Sequence, residues 1–209
     1  MTGAVDRHPS VGHPGKRLMD LVGATLVLIA ASPVLLVASL LVVVTSSGPL
    51  LHRRRVIGLG GREFDALKLR TMVADADRIL AENPEMRAAF ERNYKLPSDP
   101  RVTSVGRRLR KWSIDELPQL LNVLRGDMSL IGPRMITPGE LPKYGPQAER
   151  LFSVRPGLSG LWQISGRQEI DYPERVRMDL DYIEHWRFGR DVSIALRTPG
   201  VVLRGRGAH

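Results

Sequence analysis

The sequence predicts an α+β, mostly helical fold: a re-entrant membrane helical hairpin, then a small domain with a short β-hairpin and amphipathic helices. Three observations carry this reading. Leu21 to Thr45 is an uncharged apolar run of about 25 residues, enough for a helix to cross a bilayer. Leu50 to Leu69 holds two partly apolar segments around Gly58, Gly60 and Gly61, the pattern of a hairpin. Further on, Leu117, Leu120, Leu121 and Leu124, and then Val176, Leu180 and Ile183, recur at helical intervals.

In chain order, residues 1–15 are rich in Gly, Pro and His without apolar periodicity and read as a flexible tail. Residues 16–47 form the membrane segment and 48–209 the remaining domain. A signal peptide does not fit, because the apolar run is too long and no small-x-small cleavage site follows it. Lys16-Arg17 on one flank and Arg53-Arg54-Arg55 beyond the other both prefer the cytoplasmic side. Ser32-Pro33 lies midway and would leave about 12 residues, roughly 18 Å of helix, on either arm. Proline removes a backbone donor, and the Ser32 hydroxyl can satisfy a group at the bend, so a re-entrant hairpin follows. A kinked helix that spans the bilayer is the alternative reading.

In the hairpin, Arg53 to Arg55 also read as a membrane-surface anchor. Thr71 is placed to cap a helix through Leu80, and Asn83-Pro84 to separate it from a second helix over Glu85 to Asn93. Ser113 and Glu116 have capping-box spacing before the leucine-rich helix. Pro118 fits badly beyond a first turn, so that helix can also begin nearer Asp115. Either start puts Asp115 and Glu116 at a helix N-terminus, where an ionised carboxylate is favoured and phosphate is attracted. Such an acid can be a nucleophile, a metal ligand or a simple cap. Arg107, Arg108, Arg110, Lys111, Arg125 and Arg134 surround the pair in sequence and suggest a polyphosphate site.

Prolines 138, 142 and 146 make a loop, and Arg155 to Arg167 reads as a glycine-punctuated turn with a packed Trp162. Tyr172 to Phe188 forms a mixed helix and Asp191 to Leu203 a terminal amphipathic one.

The net charge of +9 calls for an anionic partner. The absence of cysteine excludes disulfides, thiolate zinc sites and cysteine nucleophiles. Five scattered histidines have no ligand spacing and read as surface or tail residues. Aromatics are only 5%, and no helix-turn-helix, RRM or zinc module is visible, so nucleic acid is not the expected partner.

Ser113 to Leu120 (SIDELPQL), Asn122 to Leu124, Gly126 to Ser129 and Gly132-Pro133-Arg134 together resemble the catalytic segment of the bacterial sugar transferases. These are the monotopic phosphoglycosyl transferases, which load a sugar 1-phosphate onto undecaprenyl phosphate. The resemblance extends to Ser32-Pro33, to Lys68-Leu69-Arg70-Thr71-Met72 with Leu69 in a phenylalanine position, and to Asp99 to Thr103. It also includes Arg155-Pro156-Gly157, the Trp162-Gln163 element found in members that transfer hexose 1-phosphate, and the Asp179/Tyr182 pair. Arg54, Val56, Leu67 and Arg187 depart from the family pattern.

The resemblance implies an enzyme that transfers sugar 1-phosphate from a UDP-sugar to a polyprenyl phosphate, with Asp115 and Glu116 catalytic and binding Mg²⁺. It implies substrate-binding roles for Lys68, Arg70, Arg110, Arg134, Arg155, Gln163, Asp179 and Tyr182. Membrane lipids are the expected surroundings, the cytoplasmic face of the bacterial inner membrane the expected location, and a homodimer is left open. The sugar itself is not legible. The rival reading is a non-catalytic basic membrane-surface scaffold, which accounts for the charge but not for the Asp-Glu pair.

Overall fold

The computed structural model describes residues 8–204 apart from 95, 97 and 167–169. The fold is α+β and mostly helical, with a two-stranded antiparallel sheet and a two-stranded parallel one. Residues 1–7 of the expected tail and Arg167 lie outside the described residues.

Residues 8–15, expected to belong to that tail, form α1 (Pro9–Gly12) and the start of α2 (Pro14–Thr45). The His8 amide donates to the Ser153 carbonyl at 3.2 Å. The rings of His8 and His13 pack edge-on against Trp186, and His13 stacks on Phe188 at 5.1 Å. These two histidines, expected as surface or tail residues, are thus partly buried packing partners. Pro14 occupies the first turn and His13 Nδ1 accepts from the Lys16 amide at 3.2 Å, a cap that fixes where α2 begins.

α2 is 32 residues long and apolar enough to cross a membrane. Pro33 lies inside it, and the expected break does not divide it into two helices; the Ser32 hydroxyl donates to the Ile29 carbonyl at 2.8 Å. Leu26, Ile29, Leu36, Leu40 and Val44 are exposed, while Ala24, Ala38 and Val42 are buried against the domain.

Both ends of α2 are docked. Lys16 is buried, with Nζ 2.7 Å from Asp191 and 2.8 Å from the Ile131 carbonyl, and Arg17 donates to the carbonyls of Val123 and Leu124. At the other end Arg70 donates to the carbonyls of Val42, Ser46 and Pro49. Such contacts satisfy carbonyls that a helix C-terminus leaves free.

The expected hairpin is present as β1 (Leu51–Ile57) and β2 (Glu63–Leu69), paired antiparallel from Leu51 opposite Leu69 to Ile57 opposite Glu63. Gly60 and Gly61, at φ 67° and 74°, make the turn in the left-handed region. Helices α3 (Ala76–Ala81), α4 (Pro84–Asn93) and α5 (Ser104–Lys111) follow, with Asn83 and Thr103 capping the latter two. Thr71 does not cap α3; its hydroxyl accepts from Arg110 and its carbonyl from the Thr103 amide. A Cβ on Gly106 would stand 2.1 Å from the Thr71 carbonyl oxygen, so this crossing needs glycine.

After α6 (Gln119–Arg125), the short strand β3 (Ser129–Ile131) leads through α7 (Leu141–Tyr144) and α8 (Ala148–Phe152) to β4 (Gly157–Ser159). β3 and β4 pair in parallel, Ser129 opposite Gly157. The chain then runs through α9 (Leu161–Ser165), α10 (Tyr172–Glu184) and α11 (Phe188–Arg204). One core cluster joins Ile131, Tyr144, Tyr182 and Ile194; a second joins Ala24 to Val56, Leu120 and Met128; a third joins Ala38 and Val42 to Leu69 and Leu109. α2 therefore supplies buried residues to two of the three cores, and its Met19 packs against the remaining one.

Candidate active site

Asp115 and Glu116 sit in a single 3₁₀ turn (Ile114–Glu116) between α5 and α6. The expected capping box is not formed: Ser113 adopts φ 54°, makes no side-chain cap, and Glu116 reaches away to cations instead. α6 begins at Gln119, with Pro118 at its cap position, where a missing N–H costs nothing.

Glu116 Oε1 lies 2.5 Å from Lys68 Nζ, brought in by β2, and 3.5 Å from Arg134 Nη2, just beyond β3. Burial alone would raise the Glu116 carboxyl, but Lys68 and Arg134 outweigh it and hold the pKa at about 2. Asp115 is only 5% exposed and has no ion pair among the described residues. Burial pushes its carboxyl above the ordinary value, aided by Glu116 and opposed by Lys68 and Arg110. Adjacent carboxylates therefore stand in different electrostatic states.

These groups open into a cleft of about 1410 Å³ lined by Lys68, Arg70, Arg110, Asp115, Glu116, Arg134, Trp162 and Gln163. Its apolar side is formed by Met19, Gly23 and Val27 of α2 and by Ala195, Pro199 and Val202 of α11. Arg107, Arg108 and Arg125 are exposed and do not line it, so the expected ring of arginines reduces to a smaller set.

The structure brings together Lys68, Arg70, Arg110, Arg134 and Gln163 around the acid pair, but Arg70 is committed to the end of α2. Three residues expected to bind substrate lie elsewhere. Arg155 donates to the carbonyls of Gly126 and Val11. Tyr182 is buried and its hydroxyl donates to Asp191 at 2.6 Å, beside Lys16. Asp179, 1% exposed, accepts from the Arg134 amide at 3.2 Å and from the Tyr144 hydroxyl at 2.8 Å. Its carboxyl is raised to about 6 by burial, against the pull of Arg175. Asp179 thus positions the backbone that carries Arg134.

Sequence reasoning missed the network around Glu140. This buried carboxylate lies 3.3 Å from Arg54 and 3.5 Å from Arg175, and accepts from the Tyr172 hydroxyl at 3.2 Å. Arg54, a departure from the family pattern, is therefore an ion-pair partner; Val56 and Leu67, two further departures, are core residues. The nearest signal was an arginine on a strand position whose outward neighbours, Arg53 and Arg55, are exposed.

Among the described residues no three His, Asp or Glu side chains gather into a metal cluster. Asp115 and Glu116, which both line the cleft, are the residues that would hold a Mg²⁺, an ion that takes one or two carboxylates together with substrate phosphates.

A family model described as "Bacterial sugar transferase" matches residues 11–205. The undecaprenyl-phosphate galactose phosphotransferase of Salmonella typhimurium is 42% identical over 198 residues, covering 93% of this chain and 41% of the relative. The exopolysaccharide production protein ExoY of Sinorhizobium fredii is 43% identical over 212 residues, covering 100% of this chain and 92% of the relative. The UDP-glucose:undecaprenyl-phosphate glucose-1-phosphate transferase of Caulobacter vibrioides is 43% identical over 202 residues, covering 93% and 72%. The chain spans less than half the length of several longer relatives, such as the Salmonella protein, and nearly all of ExoY. With the match running from α1 to the end of α11, and with the acid pair and its cations inside it, the chain belongs to the bacterial sugar transferase family.

Proposed function

We propose that this protein transfers a sugar 1-phosphate from a UDP-sugar to undecaprenyl phosphate and releases UMP, an early membrane step of surface-polysaccharide assembly. The observation that carries the reading is the division between Asp115 and Glu116. Glu116 is already neutralised by Lys68 and Arg134, whereas Asp115 faces the same cleft with no ion pair of its own among the described residues. A desolvated carboxylate with cations nearby suits nucleophilic attack.

In the first step an Asp115 carboxylate oxygen bonds to the sugar-proximal phosphorus, and the bond to the UMP oxygen breaks with its electron pair leaving on UMP. In the second, an oxygen of the lipid phosphate attacks that phosphorus and the Asp115 carboxylate departs. Lys68, Arg110 and Arg134 offset charge on the phosphates. Asp115 and Glu116 would hold Mg²⁺, which when bound supplies further neutralisation of the diphosphate.

The docking of both ends of α2 on one domain supports a re-entrant course with both flanks on the cytoplasmic face. There the cleft meets cytosolic nucleotide sugar and lipid phosphate at the headgroup boundary. The test is UMP release from a panel of UDP-sugars with undecaprenyl phosphate: turnover with at least one is expected, and none with any overturns the reading.

A further inference from the structure

The terminal helix α11 presents three sides. At about 100° of turn per residue, Asp191, Ile194, Ala195, Thr198 and Val202 gather on one of them. That side meets the protein: Asp191 and Ile194 are buried, and the Thr198 hydroxyl lies 2.8 Å from the Ser159 hydroxyl. Val192, Leu196, Pro199 and Leu203 fall on the next side, within about 60° of one another. They are left uncovered, Leu196 77% and Leu203 70% exposed. Arg197 and Arg204, about 20° apart, occupy the side beyond and are exposed as well. No carboxylate on this helix is left to pair them, because its single acid, Asp191, is buried 2.7 Å from Lys16.

An uncovered apolar stripe flanked by cations is the make-up of a helix that lies in a bilayer surface, with its apolar side among acyl chains and its basic side at the headgroups. The position of α11 fits this arrangement. It meets α2 at the root, where Lys16 bonds Asp191, and further along the two helices supply the apolar lining of the cleft, Met19, Gly23 and Val27 with Ala195, Pro199 and Val202. On the same stretch α2 leaves Leu18, Val22, Leu26 and Ile29 exposed. Pro199 and Leu203 belong both to the cleft and to the uncovered stripe, so the apolar surface of α2 continues onto α11. Charge selects the occupant. A second copy of this chain carries the same net charge of +9 and would set cations against cations, whereas an anionic lipid surface neutralises them.

We propose that α11 is a second membrane-contacting element, lying in the bilayer surface with Val192, Leu196 and Leu203 among acyl chains and Arg197 and Arg204 on anionic lipid headgroups. With α2 and α11 both held by lipid, the cleft between them opens at the membrane surface.

The test uses the purified full chain in nanodiscs of phosphatidylcholine and phosphatidylglycerol in equal parts. A bimane fluorophore is placed on Leu196→Cys or, for comparison, on Ser193→Cys at the edge of the basic side; the chain has no other cysteine to react. Both positions are exposed, so thermal unfolding should be unchanged. A nitroxide on the upper acyl chain of the lipid should quench the Leu196 probe at least about twofold more than the Ser193 probe, and iodide in the water should do the reverse. Carried on phosphatidylglycerol, that nitroxide should quench the Leu196 probe at least about twofold better than when carried on phosphatidylcholine. Arg197→Gln with Arg204→Gln should abolish the preference without abolishing the quenching. Quenching of the Leu196 probe by iodide and not by lipid would put the stripe in water, and shielding from both quenchers would put it against protein, a second copy included; either result overturns the proposal. Equal quenching by the two lipids in the wild type would overturn the assignment to anionic headgroups. None of these readouts requires turnover, so they stand or fall separately from the transfer reaction proposed above.

Discussion

The Ser32 hydroxyl bonds the carbonyl of Ile29, the one backbone acceptor that Pro33, four residues further on, has no N–H to reach. Serine thus supplies the donor that proline removes, and α2 continues through a residue that would otherwise interrupt it. In an apolar setting this exchange matters, because an unmet carbonyl there has no water to turn to.

Ser32→Ala should therefore destabilise the protein by about 0.5–1.5 kcal/mol, the net contribution of a typical hydrogen bond. Thermal unfolding in nanodiscs measures it. Replacing both residues, Ser32→Ala with Pro33→Leu, restores the backbone N–H that proline lacks and should shift part of the population to a spanning topology with loss of activity. Because the native chain has no cysteine, single cysteines at Gly12 and Ser47 report this cleanly. In intact cells both should be shielded from an impermeant periplasmic reagent, and the Gly12 probe should become reactive in the double variant. Labelling of that probe without the double substitution would show a helix that spans.

Asp115→Asn should lower UMP release by at least about a thousandfold, as expected when an attacking group is removed. It should also raise the unfolding temperature. The folded pKa of Asp115 lies above its unfolded value, so the stability associated with this group is present below the unfolded pKa and is lost as pH rises through the folded one. At neutral pH the ionised carboxylate is a burden that the amide relieves, by about 2–4 °C per kcal/mol in a chain of this size. An active variant, or one that melts earlier, contradicts the assignment. Labelled sugar trapped on the wild-type protein at Asp115 is the direct complement.

Lys68→Met removes the closest cation from Glu116. In the wild type the carboxyl titrates at about 2, below its model-compound value of 4.5; its stabilising contribution is present above 4.5 and is lost as pH falls towards 2. Without Lys68, the strongest opponent of burial is gone and Arg134 is left as the nearest cation, so the pKa moves upward. The acidic limb of the pH-activity profile should shift to higher pH in Lys68→Met, and acid unfolding should begin earlier. Superimposable profiles would show that the pair does not govern the ionisation.

Lys16→Met leaves Asp191 buried without its cation and should cost about 3–5 kcal/mol. Adding Asp191→Leu should recover much of that loss, since two apolar groups leave no uncompensated charge. Urea unfolding of the single and double variants compares them, and additive losses would indicate that the two side chains do not interact.

The hairpin and the acid pair were legible because their signals are local: glycines between apolar segments, and adjacent acids among basic residues. The same holds for Asn83-Pro84 at the head of α4. Nothing near Lys16 in the sequence announces a partner 175 residues away. The backbone contacts of Arg70 and Arg155 were hidden for a related reason: their guanidinium groups serve carbonyls, which have no side-chain signature. Asp179 and Tyr182 share α10, but spacing along a helix does not say which face meets the cleft, and theirs is turned to the core. The β3–β4 pairing joins two three-residue strands, too short to show alternation.

The clasp between Lys16 and Asp191 also sets an order of events during synthesis. Lys16 meets its carbonyl acceptor once Ile131 is made, but its carboxylate partner comes only 175 residues after it. A nascent chain halted before Asp191 would carry α2 with the charge at its base unneutralised.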